Sequence, residues 1–305
     1  MGYRRLFCFL KYGKTKLASI FVVEISTKAN YLSIFAKMTP QRYYLTEVDK
    51  VEDSIYCFHD AMGENDIQLH QHKKAQLLYT EGGVVHISVP SKTYFLPARH
   101  YMWIPPEVPH SIHASSPEIM MRNLYFPIQN FEIDFFQQIG IYAVNDLLLQ
   151  LLLFSNRWHG DILISSKEDY IIAEAIRAIL PQMSTMNLPL ALPFSNNQRL
   201  EKILTYMSNN LHNPIAFPEL CERFGFSQRS LARLFHSELG MTFIQYYTIL
   251  RILKSLQLLL EKKLPVSEVA ISVGYSSIPT FSNTFSNLIG CRPSEYLKMQ
   301  TQILK

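Results

Sequence analysis

Short apolar stretches separated by turn residues dominate the first half of the chain after residue 40. They lie at residues 76–80, 84–89, 101–104 and 120–126, and Gly82-Gly83 and Pro90-Ser91 are among the turn signals between them. Many short strands at this spacing are typical of a sandwich or barrel. We therefore expect a β-barrel over residues 39–128.

The apolar spacing then changes to that of helices. Residues 131–154 and 167–180 both have helical spacing; the second is preceded by a candidate N-cap, Ser165 or Ser166, and followed by Pro181, which we expect to end it. We predict a helical segment over residues 129–182 that couples the domains and pairs subunits. Residues 183–197 are rich in Pro and small polar residues and are predicted to be a linker.

A repeat organises the remainder of the chain. Phe224-Gly-Phe-Ser227 returns 49 residues later as Val273-Gly-Tyr-Ser276, and beyond one inserted residue Leu231 corresponds to Phe281 and Tyr246 to Tyr296. Each unit has a short amphipathic helix, a glycine suited to a left-handed turn, and a second helix with a serine cap. This is the helix-turn-helix plan. We predict two such units, at about residues 217–239 and 266–289, within an all-helical domain over residues 198–300.

The second helix of each unit is the one that can enter a DNA major groove. In the first unit, the face opposite the apolar positions carries Gln228, Arg229, Ser230, Arg233 and His236, and Arg and Gln can read guanine and adenine. In the second unit the corresponding face carries Ser277, Thr280, Asn283 and Asn287, with no positive charge. Our hypothesis is that the first unit reads bases and the second positions the protein. Arg251, on the helix predicted over residues 243–260, is a further candidate DNA contact.

Charge agrees with a polyanionic partner for the tail alone. The net charge of the chain is +4, but the charge is unevenly distributed. Residues 1–38 contain seven basic and one acidic residue, residues 39–195 contain ten basic and 17 acidic residues, and residues 196–305 contain 12 basic and seven acidic residues. No apolar run approaches the roughly 20 residues that a membrane span needs. The four cysteines show no metal-site or redox-motif spacing, which fits the reducing conditions of the cytoplasm. Residues 1–38 show no cleavage pattern, and we expect a disordered or mis-started extension with Met38 as the functional start.

The tail resembles the AraC/XylS family of bacterial transcription regulators. The matching strings begin at Gly225, Gly274 and Gly290, and run to Phe235, Phe285 and Tyr296. The resemblance implies a seven-helix DNA-binding domain that binds asymmetric sites in two adjacent major grooves. We also expect a homodimer, and RNA polymerase as a partner if the protein is an activator rather than a repressor. Asn283 stands where the family usually has Arg, and Pro279 where it has a small residue.

Histidines in the front domain provide the other candidate chemistry. His70 and His72 point to one side of a strand, and His110 follows later after a proline-rich turn. This spacing resembles cupin barrels, although Gln76 replaces the acidic metal ligand and Glu107 the turn glycine. We expect an effector pocket lined by His70, His72, Gln76, His110, Tyr79 and Trp103. A polar pocket without metal or other cofactor is favoured over a divalent metal site.

Three functions remain open at this point. The first is a regulator with a cupin-like sensory barrel, a helical segment and a C-terminal all-α domain of two helix-turn-helix units, which binds double-stranded DNA and a small effector and is not an enzyme. The second is a metal-dependent cupin enzyme with a helical appendage. The third is a nonspecific architectural DNA binder, which the acidic front domain disfavours.

Overall fold

A computed structural model describes residues 41–42, 47–61, 66–116, 119–128, 133–184 and 186–303. The predicted extension over residues 1–38 lies outside this part of the chain. Within the described residues, no helix combines the length and the apolar character that crossing a bilayer requires.

Two sheets of six strands each form the front domain in the described residues. One has the order β1-β3-β8-β5-β6-β12 and the other β10-β7-β4-β9-β2-β11. The strands are β1 (Gln41–Arg42), β2 (Ile55–Ala61), β3 (Ile67–Gln71), β4 (Ala75–Glu81), β5 (Val84–Val89), β6 (Lys92–Pro97), β7 (His100–Ile104), β8 (His110–Ala114), β9 (Met120–Phe126), β10 (Gly140–Ala143), β11 (Gly160–Ile162) and β12 (Ala191–Pro193). The four strands predicted from the apolar runs are confirmed.

The segment predicted to be helical is more mixed than its spacing indicated. It contains helices α1 (Asp134–Gln137), α2 (Asp146–Phe154) and α3 (Lys167–Met183), but also β10, which pairs with β7, and β11, which pairs with β2. The prediction of one helix over residues 131–154 is therefore wrong. Sheet edges supplied partners for Gly140–Ala143, and sequence periodicity contains no information about such partners. Pro181 does not end its helix at once, because α3 continues to Met183.

The tail is helical throughout, as predicted. Its helices are α4 (Gln198–Asn209), α5 (Phe217–Phe224), α6 (Gln228–Leu239), α7 (Phe243–Leu260), α8 (Val266–Ser272), α9 (Ile278–Ile289) and α10 (Pro293–Ile303). Both repeat turns close with equivalent bonds, Phe226 N–H to the Cys221 carbonyl at 2.9 Å and Tyr275 N–H to the Ala270 carbonyl at 2.8 Å. Gly225 and Gly274 have φ of +67° and +78°, the left-handed conformation that ends each first helix. The repeat is thus structural as well as sequential.

The linker is part of the barrel rather than a free tether. Its strand β12 pairs antiparallel with β6, and the Phe95 N–H donates to the Leu190 carbonyl at 2.8 Å. The predicted linker over residues 183–197 therefore contains a strand, and the apolar side chains around residue 190 are buried against the sheet edge.

The tail also contacts the barrel directly. The Tyr296 hydroxyl donates to the Ala98 carbonyl at 2.8 Å, and His100 Nε2 lies 3.4 Å from the Ile289 carbonyl oxygen. Ser195 at the end of the linker donates to Glu238 of α6 at 3.1 Å. The end of the second unit and the helix after it therefore contact the barrel, whereas the first unit contacts the linker.

Candidate functional sites

The second helix of the first unit, α6, presents an exposed polar face. Ser227 caps it by accepting from the Ser230 N–H, and Leu231, Phe235 and Leu239 bury its inner side. Of the predicted DNA contacts, Gln228, Arg229, Arg233 and His236 are exposed. Among the described residues neither Arg229 nor Arg233 has an ion-pair partner, so both guanidinium groups are available to an external anion or base.

Ser230 has a more local role than predicted. Its hydroxyl donates to the Ser227 carbonyl at 2.9 Å within the cap. Ser277 caps α9 as Ser227 caps α6, because its Oγ accepts from the Thr280 N–H at 3.4 Å. Thr280, Asn283 and Asn287 are exposed on α9, and Phe281, Phe285 and Ile289 form its inner side.

Arg251, predicted as a candidate DNA contact, is held by contacts within the tail. It is half-buried, its Nε donates to the Val273 carbonyl, and its guanidinium lies 3.5 Å from the ring centroid of Tyr275 and 5.2 Å from that of Tyr247. A stacked, hydrogen-bonded guanidinium joins α7 to the second turn. The residue therefore supports the second unit structurally, and the fold leaves it little freedom to reach DNA.

The barrel brings the three predicted histidines together. His70 on β3 is in register with His110 on β8, and His72 follows β3 directly. Their candidate ligand nitrogens all lie within 4.8 Å of one another, and the three side chains are buried. Glu107 has φ of +59°, so it adopts the left-handed conformation for which a glycine is usually used.

Backbone carbonyls fix the tautomers of these imidazoles. The Nδ1 of His70 lies 2.7 Å from the Gln68 carbonyl, that of His110 lies 2.8 Å from the Val108 carbonyl, and that of His72 bonds to the Lys74 carbonyl. Because a carbonyl only accepts, each Nδ1 carries the proton and each Nε2 presents a lone pair. Burial lowers the pKa of His70 to about 3 and the pKa of His110 well below its ordinary value, so the rings are neutral at pH 7.

Gln76 adds a fourth acceptor to this cluster. Its Nε2 donates to Asn123 at 2.8 Å and to the Tyr125 hydroxyl at 3.3 Å, which turns its Oε1 toward His72 Nε2 at 3.2 Å. Two lone pairs then face each other in this arrangement. A half-turn of the Gln76 amide alone would instead oppose the Gln76 and Asn123 oxygens, so a hydrogen bond to His72 requires both amides to turn together. The buried Nε2 of His110 also has no hydrogen-bond partner among the described residues.

A divalent metal fits this donor set. Nitrogens bound at about 2.1 Å from a zinc ion, with their other nitrogens hydrogen-bonded to carbonyls, are typical of metal-ligating histidines. A cation between His72, His110 and Gln76 would satisfy the orphaned nitrogen and separate the two facing acceptors. His70 would supply the remaining imidazole.

Two residues predicted to line the effector pocket lie elsewhere. Tyr79 and Trp103 belong to the apolar cluster between the second sheet and helices α1–α3, and the Trp103 indole donates to the Phe136 carbonyl at 3.2 Å. Trp103 is in register with Leu77, so it shares the face opposite Gln76. Strand alternation from Gln76 excludes Tyr79 from the Gln76 face, whereas excluding Trp103 also requires the register between β4 and β7.

Three residues outside the predicted site contact Gln76 of the histidine cluster or lie at the junction between barrel and tail. Asn123 and Tyr125 on β9 orient Gln76, and alternation along β9 would have put both on the pocket face once the β4–β9 pairing was known. His100 is buried at the junction between barrel and tail. No feature of its local sequence indicates that contact.

Comparison with known proteins identifies the same two regions. Residues 220–299 match the helix-turn-helix domain family, and residues 54–135 match the AraC-like ligand binding domain family. The HTH-type transcriptional regulator ArgR of Pseudomonas aeruginosa is 29% identical over 180 residues, covering 59% of this chain and 52% of that protein. The HTH-type transcriptional regulator NimR of Escherichia coli is 25% identical over 255 residues, covering 81% and 88%.

The match spans about half the length of the P. aeruginosa relatives. Among solved structures, a transcriptional regulator with an AraC-type DNA-binding domain from Chromobacterium violaceum is 30% identical with a TM-score of 0.32, covering 34% of this chain and 93% of that one.

Proposed function

Because this chain carries an AraC-type helix-turn-helix domain behind an AraC-like ligand-binding domain, as AraC-family transcriptional regulators do, we propose that it is a sequence-specific DNA-binding transcription regulator that responds to a small effector held in the barrel. The observation that carries the proposal is the duplicated unit. Two equivalent turns each present a serine-capped helix with an exposed outer face. Such helices can enter successive major grooves.

The exposed face of α6 supports base reading rather than charge attraction alone. Arg229 and Arg233 can each form bidentate bonds to guanine, and Gln228 can do so to adenine. These side chains are exposed, and the helix that carries them is fixed to the linker through Glu238. A ligand that shifts the barrel edge can therefore change the position of α6 through β12.

The partners and location are part of the same proposal. We infer that the protein acts in the cytoplasm as a homodimer and contacts RNA polymerase where it activates. Exposed apolar residues on α2 and α3, namely Leu147, Phe154 and Ile171, support pairing through this segment.

The test is DNA binding by the full chain, followed by fluorescence anisotropy against a duplex selected from a random library. Arg233→Ala should weaken binding by about 5- to 100-fold and relax the preference for one guanine. Lys167→Ala, which removes an exposed charge from the front domain, is the matched control and should leave affinity unchanged. Equal losses in the two variants would contradict base reading by α6.

We also propose that the barrel pocket holds a divalent first-row transition metal. The support is the orphaned Nε2 of His110 and the two acceptors of His72 and Gln76 that face each other. Three imidazole nitrogens and one amide oxygen suit zinc, cobalt, nickel or copper. When bound, such an ion would fix the register of β3 against β8.

Metal-free protein should take up one Co²⁺ per chain, visible as d–d absorption and countable by mass spectrometry. His110→Ala should abolish this binding. His113→Ala removes an exposed histidine from the same strand and should retain it. Absence of the band in the wild-type protein, or its persistence in His110→Ala, would refute the metal site. A change in DNA affinity on loading would show that metal binding and DNA binding are coupled.

A further inference from the structure

We call α6 and α9, the second helices of the two helix-turn-helix units, the reader helices. The outer face of the second reader helix, α9, carries no charge. From Val269 to Cys291 the chain contains no acidic, basic or histidine residue, so α9 and the turn before it are uncharged. The first unit has two exposed arginines in the equivalent helix. Any base reading by α9 therefore has to use neutral groups.

The repeat register shows which groups replace the arginines. At the 50-residue offset, Ile278 takes the place of Gln228 and Pro279 that of Arg229. Pro279 is exposed, and Ile278 is 45% exposed at the first position of α9. The inner side of the helix is already filled by Phe281 and Phe285. An apolar tip thus stands where the first unit presents amide and guanidinium groups.

The third replacement is an amide. Asn283 takes the place of Arg233 and is exposed on the same helix, one turn beyond Pro279. Thr284 is unavailable for reading because its Oγ1 donates to the Thr280 carbonyl at 2.9 Å. The outer face of α9 therefore combines the apolar residues Ile278 and Pro279 with exposed amides, of which that of Asn283 is nearer to them than that of Asn287.

Major-groove base edges differ in what they offer such a face. Among the base edges in the major groove, thymine presents an apolar group, its 5-methyl. Adenine presents one hydrogen-bond donor and one acceptor, which the amide of an asparagine can pair with. Guanine is read chiefly by arginine and lysine, which α9 lacks. A neutral apolar and amide face is complementary to A·T pairs.

We propose that α9 is an A·T-specific reader, in which Ile278 and Pro279 contact a thymine methyl and Asn283 pairs with adenine. The inference rests on the proposed DNA-binding function and revises the hypothesis that the second unit only positions the protein. The whole site then consists of a guanine-containing half read by α6 and an A·T half read by α9. These halves lie in adjacent major grooves.

The experiment uses the full chain and a duplex selected from a random library. Arg233→Ala identifies the guanine half, because it relaxes selection there. In the other half, each thymine is replaced singly by deoxyuridine, which removes the 5-methyl and retains base pairing. Burial of one methyl predicts a loss of about three- to fivefold at one or two thymines.

Variants separate the methyl contact from other causes. Ile278→Ala should lose affinity for the thymine duplex by a similar factor and become insensitive to deoxyuridine. Ile244→Ala removes an isoleucine that is 65% exposed outside the reader helices, and should keep the full methyl effect. Asn283→Arg should change the selected base in that half from adenine to guanine.

Three outcomes would overturn the inference. They are guanine selected in both halves by the wild-type protein, deoxyuridine without effect at every thymine, and a full methyl effect retained in Ile278→Ala. The second would also be expected if A·T preference came from DNA deformability or if the apolar tip bound a protein. Failure to select any motif would instead refute the proposed function itself.

Discussion

Replacing the two turn glycines by alanine should have unequal effects, although the sequence repeat makes them equivalent. Gly225 and Gly274 both have positive φ, which a non-glycine residue adopts at a cost of roughly 1–2 kcal/mol. A Cβ on Gly225 would meet no atom within 4 Å, whereas a Cβ on Gly274 would lie 2.4 Å from the Leu211 carbonyl oxygen. That contact requires backbone movement, which adds about 1–3 kcal/mol.

We therefore expect Gly225→Ala to lower the free energy of unfolding of the tail by about 1–2 kcal/mol and Gly274→Ala by about 2–5 kcal/mol. The assay is urea denaturation followed by circular dichroism at 222 nm, which reports mainly on the helical tail. Trp103 and Trp158, the two tryptophans of the chain, lie in the front domain, so their fluorescence follows that domain separately. Equal losses in the two variants would refute the close approach of the second turn to Leu211.

Three further outcomes follow from the tail and its junction with the barrel. Arg251→Ala should lower the free energy of unfolding by about 1–3 kcal/mol in the same denaturation, because it removes a stacked cation and a hydrogen bond. A variant that loses DNA affinity at unchanged stability would contradict a structural role for Arg251. Tyr296→Phe should expose the barrel turn at Ala98 to faster amide hydrogen exchange by about 5- to 10-fold, because about 1 kcal/mol of junction contact is lost, and unchanged exchange would argue against the contact. Burial lowers the pKa of His100 below its ordinary value of 6.5. The stability that neutral His100 contributes is therefore fully present above pH 6.5 and declines as the pH falls below that value. His100→Gln should make the free energy of unfolding less sensitive to acid between about pH 7.5 and about pH 5, and an identical pH dependence in the variant and the wild type would contradict this contribution of His100.

The tail was the part of the fold that the sequence specified most fully. Glycine turns, serine caps and apolar spacing are all local signals, and they agreed with one another over both units. Ser227 and Ser277 cap the helices that their positions predicted. Arg251 was misjudged because its stacking partner Tyr275 lies across a turn, beyond the reach of helical periodicity.

The barrel was less predictable because its decisive contacts are between distant strands. The histidine spacing predicted the cluster of His70, His72 and His110. The tautomers, however, depend on carbonyls at Gln68 and Val108, and the orientation of Gln76 depends on Asn123. Such partners are set by strand register, which a single sequence does not contain. The edge strands β10 and β12 escaped prediction for the same reason.

The central claim is that two unequal reader helices bind one asymmetric DNA site. Hydroxyl-radical footprinting of the full chain on its selected duplex tests this most directly. Two protected patches on one face of the DNA are expected, roughly 34 Å apart, with Arg233→Ala weakening the patch over the guanine half first. A single patch, or uniform protection that ignores sequence, would contradict the account.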